Sequence, residues 1–86
     1  MTREECEERI GELGVQALTY YAEKHLPTGG CYEAILSNDL MGVFRCADDN
    51  TMANLRHIMF WLYNYAPGMC WGSPERVKDW LAARMG

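Results

Sequence analysis

The sequence predicts an all-α fold, a compact bundle of four to five short helices forming one domain over residues 1–86. Three observations carry that expectation. Apolar residues recur at helical spacing in each longer segment, and nowhere does a period-two alternation run far enough to make a strand. The breaks between segments carry helix punctuation: Pro27, Ser37-Asn38-Asp39, Asp48-Asp49-Asn50, Pro67-Gly68 and Ser73-Pro74. A chain of 86 residues with 49% hydrophobic content has enough apolar material for one core and too little length for two.

The first helix opens at Thr2, which forms a capping-box pattern with Glu5, and Glu4, Glu5, Glu7 and Glu8 suit the positive end of its dipole. Cys6, Ile10, Leu13, Gly14, Ala17, Leu18 and Tyr21 keep the rhythm of one buried face. Lys24 and His25 complement its far end, and Pro27 prevents continuation. A short second helix starts after Thr28, although Gly29 and Gly30 each weaken a helix by about 1 kcal/mol relative to Ala. Its inward residues are Cys31, Ala34 and Ile35. Ser37, Asn38 and Asp39 compete for backbone hydrogen bonds and break the helix, after which Leu40, Val43, Phe44 and Ala47 resume an inward stripe. From Met52 to Ala66 the chain is apolar on nearly every side, which marks a central or interfacial helix. Ser73 as N-cap and Pro74 behind it start the last helix, docked by Val77, Trp80 and Leu81.

Charge narrows the function classes. The net charge is −4, of which residues 1–12 hold −3 (five Glu, two Arg) and residues 13–86 hold −1 (seven acids, six bases). An acidic chain without a basic stripe is a poor nucleic-acid binder, because phosphate neutralisation supplies most non-specific affinity. The longest apolar run, Ile58 to Tyr63, falls far short of the ~20 residues that span a bilayer. The start, Met1 to Glu5, is acidic where a signal peptide is basic and then apolar. The expectation is therefore a cytoplasmic protein with no membrane partner. Cys6, Cys31, Cys46 and Cys70 form no Cys-x-x-Cys pair, and His25 and His57 stand at no metal-ligand spacing. They are expected to be reduced core residues, with no metal and no cofactor.

No local signature surrounds a nucleophile. Cys31, Cys46, Cys70, Ser37 and Ser73, with His25 or His57 as base, lack the strand-turn-helix setting that activates one, so no catalytic residue is assigned and the chain is read as a non-enzyme. Asp39, Asp48 and Asp49 are explained by turn and cap chemistry. Two junctions stand out, Pro27 to Tyr32 and Pro67 to Ser73, each rich in glycine and each carrying a cysteine beside an aromatic ring. Helix N-termini approached through glycine can bind anions, aromatic rings can stack on a base, and arginines can neutralise phosphate. The candidate ligand-binding set is Gly29, Gly30, Tyr32, Arg45, Arg56, Trp71, Gly72 and Ser73, with Trp61, Tyr65 and Arg76 as further contributors. Glu75 opposes an anion at the second turn. The plainer alternative is that glycine permits tight turns and Trp71 pins a loop.

Gly29-Gly30, Asn38-Asp39-Leu40, Ala47-Asp48, Tyr63-Asn64, Cys70-Trp71-Gly72-Ser73-Pro74-Glu75 and Trp80-Leu81 together resemble a family of small helical proteins of phages and prophages, over residues 27–81. The chain departs from that family where Cys31 replaces an aromatic residue and where Cys46 replaces an arginine, with Arg45 one position earlier. The resemblance implies a phage-linked origin and a host-cell cytoplasmic location. It is compatible with three roles. One is capture of a small anionic ligand such as a host signalling nucleotide. Another is blockade of a host defence or replication protein through an apolar face or the acidic ridge of Glu4, Glu8 and Glu12. The third is an assembly subunit. A domain this small would also gain buried surface as a homo-oligomer.

Overall fold

The computed structural model describes residues 1–83. Among them are seven α-helices and a 3-10 turn, with no strand: α1 Arg3–Ile10, α2 Glu12–Lys24, α3 Gly30–Leu36, α4 Leu40–Cys46, α5 Asp49–Ala53, α6 Leu55–Tyr65 and α7 Pro74–Ala82, the 3-10 turn being Gly68–Cys70. The all-α fold is the one the sequence predicts. The first expected helix is broken in its middle at Gly11, and the central one near its start at Asn54, where Met52 and Ala53 belong instead to the short α5.

Gly11 causes the first break. Its backbone (φ 95°, ψ 156°) lies in a region that side chains rarely adopt, so the chain turns there without steric cost. The turn shifts the helical phase. Leu13, expected to face the core, is 81% exposed, while Leu18 and Tyr21 are buried. The predicted caps hold: the Thr2 side chain accepts from the Glu5 N–H, Asp48 from Thr51 and Ser73 from Arg76.

Around α6 the core gathers Ile58, Trp61 and Leu62 with Cys6 and Ile10 of α1, Leu18 and Tyr21 of α2, Ile35 and Leu36 of α3, Val43 of α4, Cys70 and Val77. Polar side chains set the docking angles. Trp61 Nε1 donates to Glu7 Oε2 at 2.7 Å, Arg3 Nε donates to the same oxygen at 3.0 Å, and the Cys6 thiol donates to the His57 carbonyl at 2.8 Å. At the other end of the molecule, Tyr21 Oη donates to the Cys70 carbonyl at 2.6 Å and Trp80 Nε1 to the Tyr21 carbonyl at 2.7 Å. His25 closes α2 in a left-handed conformation, bonds through Nδ1 to the Trp80 carbonyl at 2.8 Å and stacks on that indole.

Helices α3 and α4 form a hairpin turned at Asn38 (φ 59°) and recapped by Asp39, whose carboxylate accepts from the Gly42 N–H at 3.0 Å. Val43 points into the core, but Leu40 is 74%, Met41 58% and Phe44 68% exposed. The inward stripe expected for Leu40 and Phe44 is thereby corrected. So short a helix meets the core along one line of contact, and no described element covers its other side. The cysteines need a second correction. Cys31 and Cys46 face each other across the hairpin and are joined in a disulfide, with Cα atoms 5.7 Å apart, while Cys6 and Cys70 are free and buried. No described helix is long and apolar enough to cross a membrane.

Candidate functional site

The first glycine turn is built from two consecutive left-handed residues, Gly29 (φ 74°) and Gly30 (φ 54°), which deliver the chain into α3. Tyr32 follows them but does not point into the turn. It is half-buried with its hydroxyl against Gly14 of α2, where no Cβ would fit. Burial, and then the charge of Asp48, push its phenol pKa up. Gly30 opens onto a surface hollow of about 410 Å³ shared with Glu33, Ser37, Asp39 and Pro74. The first turn and the start of α7 therefore converge, but on a wall bearing two carboxylates and no cation. Such a wall repels an anion.

The second turn is held from three sides. Gly72 (φ 114°) donates its N–H to the Leu36 carbonyl at 2.7 Å, which pins the turn to the end of α3. Ser73 Oγ accepts from the Arg76 N–H at 3.1 Å. Arg76 Nη1 donates back to the carbonyls of Gly68 and Trp71 at 3.2 and 3.3 Å. Gly72, Ser73 and Arg76 are thus engaged in shaping the turn. Trp71 is half-buried, and its Nε1 is buried without a hydrogen-bond partner.

Of the candidate ligand residues, the fold brings two together. Arg56 and Trp71 line one cleft of about 470 Å³ with Met1, Met59, Phe60, Tyr63 and Asn64. Arg56, Met59, Phe60, Tyr63 and Asn64 are one stripe of α6, on the side not used by Ile58, Trp61 and Leu62. Tyr63 is 75% exposed, and Arg56 is exposed with no ion pair among the described residues. The Asn64 amide is tied to the Phe60 carbonyl at 2.9 Å. A volume of this size falls in the range of small-molecule sites, which are mostly apolar with a few polar groups. Arg45 is exposed at the end of α4 and lines neither hollow. Trp61 and Tyr65 turn toward α1, where Arg3 lies 4.6 Å from the Tyr65 ring. Phe60 and Tyr63 escaped the sequence reading as site residues. The i, i+4, i+7 series starting from Arg56 was the available signal.

The thiols offer little nucleophilic chemistry. Cys31 and Cys46 are bonded to each other. Burial raises the pKa of Cys6, and burial pushes Cys70 up to about 11, so both are protonated at neutral pH. Cys6 meets the backbone of His57 and not its ring. Among the described residues no three His, Cys, Asp or Glu side chains are placed to hold a metal ion. Glu4 and Glu8 of α1 and Glu12 at the start of α2 line one shallow surface together with Glu7, whose carboxylate also accepts from Trp61. The chain matches no protein-family model and is similar to no curated protein and no solved structure, so the likeness to small phage proteins rests on sequence motifs alone.

Proposed function

We propose that this chain is a small phage-type accessory binding protein, not an enzyme, that captures a planar anionic ligand of the nucleotide class in the α6–Trp71 cleft and acts in the host cytoplasm. One observation carries the proposal: Arg56, a cation without a carboxylate partner among the described residues, stands over the same cleft as Phe60, Tyr63 and Trp71. Such a set suits a ligand with a flat ring and a negative group, the ring stacking on an aromatic face and the anion pairing with the guanidinium. Sequestering a host signalling nucleotide would be the counter-defence form of that activity. Calorimetry against linear and cyclic nucleotides tests it. Micromolar or tighter binding by at least one member, weakened tenfold or more by Arg56→Ala, is the expected result. Absence of heat across the panel overturns the reading.

A second reading has its own observation. Leu40, Met41 and Phe44 make an exposed apolar face on α4, and contiguous apolar surface is where partners dock. That face suits a host defence or replication protein, or a second copy of the chain in an oligomer. Light scattering separates the copies from the foreign partner. A strict monomer at high concentration, together with Phe44→Glu failing to change any pull-down from host lysate, removes this reading.

A further inference from the structure

We infer that the Cys31–Cys46 bond is a thiol-reducible latch on α4, and that a dithiol reductant opens the apolar groove beneath that helix. Apart from its packing along α3 in the hairpin, the α4 helix is held at few points. Its seven residues are well below the ~12–15 at which an isolated helix becomes marginally stable in water. Val43 is its one buried residue, Asp39 caps its first turn, and the disulfide secures its last residue, Cys46, to α3. The next helix, α5, buries no residue of its own, and Ala47 between the two helices is only half-buried against the core. Between α4 and its neighbours lies a groove of about 170 Å³, walled by Ala34 and Ile35 of α3, Leu40 and Val43 of α4, and Leu55 and Met59 of α6. The turn at Asn38 and Asp39 is the hinge at one end, and the disulfide is the fastening at the other.

The bond is also the sulfur chemistry that solvent can reach. Cys46 is exposed and Cys31 half-buried, whereas Cys6 and Cys70 are buried. A thiolate of the reductant attacks the Cys46 sulfur, the protein S–S bond breaks, and its electron pair leaves on Cys31, which takes a proton. The second thiol of the reductant then attacks the mixed disulfide and releases Cys46 as a thiol. Overall, the protein disulfide becomes two thiols and the dithiol becomes a disulfide. Opening a loop of 15 residues in this way removes a constraint on chain entropy, and α4 then relies on Val43, the half-buried Ala47, its packing along α3 and the Asp39 cap. This inference does not depend on what Arg56 binds.

Hydrogen exchange on the full chain, oxidised and then treated with dithiothreitol, decides it. The amides of residues 40–47 are expected to exchange about ten- to a hundredfold faster after reduction, the upper figure corresponding to loss of the whole loop-closure term. The amides of α6 are expected to hold their rates. Iodoacetamide under native conditions should label no cysteine before reduction and Cys31 with Cys46 after it. Cys46→Ser should show the faster α4 exchange without reductant and no further response to dithiothreitol. Should that variant fail to fold, the reductant titration of the wild-type chain still decides. Equal α4 rates in both states, native labelling of Cys31 and Cys46 before reduction, or loss of protection throughout α6 each overturn the latch.

Discussion

Helices α1 and α4 are of nearly equal length and dock on the same core, yet they are held by different means. On the core side, α1 buries Cys6 and Ile10 and aims Glu7, Arg3 and the Cys6 thiol at α6, so that directional hydrogen bonds determine where it sits. Its outer side is acidic and well solvated. By contrast, α4 buries Val43 alone, owes its other end to a covalent bond, and turns Leu40, Met41 and Phe44 to water. Docking by charge-assisted hydrogen bonds defines register and leaves no apolar surplus. Docking by one side chain and a disulfide leaves a face unpaired, and that face is where partners or conformational change become affordable.

The largest expected effect lies at the α1–α6 contact. Trp61→Ala removes a fully buried indole and the partner of Glu7, and should cost about 3–5 kcal/mol in urea unfolding. A cost below about 1 kcal/mol would mean that α1 is not the firmer of the two attachments. Next comes Tyr21→Phe, which strands the buried Cys70 carbonyl and should destabilise by about 1–3 kcal/mol.

Acid should loosen the α1–α6 contact. The hydrogen bonds from Trp61 first, and Arg3 second, hold the Glu7 carboxyl below the usual carboxylate range. A pKa that is lower in the folded state contributes stability that is complete above the unfolded value and lost as pH falls through the folded one. Indole fluorescence or the Trp61 N–H resonance, followed from neutral pH downward, should therefore shift in the acid range in the wild type and lose that step in Glu7→Gln. The smallest effect is expected from Phe44→Ser, within about ±0.5 kcal/mol of wild type, because the ring already faces water. A cost as large as that of Tyr21→Phe would show that the α4 face is packed, and would erase the contrast with α1.

Local chemistry was legible to the residue. Thr2, Asp39, Asp48 and Ser73 all cap as their side chains and spacing imply, because each cap bond closes within three residues of chain. The candidate site was legible only in part. Arg56 and Trp71 share a cleft, but Gly30 lies in an acidic hollow, Tyr32 packs on Gly14, and Ser73 serves its own helix. Side-chain type indicates what a residue can bind. It does not indicate which neighbours already occupy it.

By itself, then, the sequence determined the all-helical class, the capped helix starts at Thr2, Asp48 and Ser73, and a largely apolar α6, since these depend on periodicity and on contacts a few residues apart. Tertiary structure alone decided that Gly11 turns Leu13 outward, that positions 31 and 46 meet in a disulfide, and that the spare stripe of α6 faces Trp71. Each of those outcomes depends on which helix faces come together. That choice is made by the packing of the whole core around Trp61, where residues more than fifty positions apart exchange hydrogen bonds.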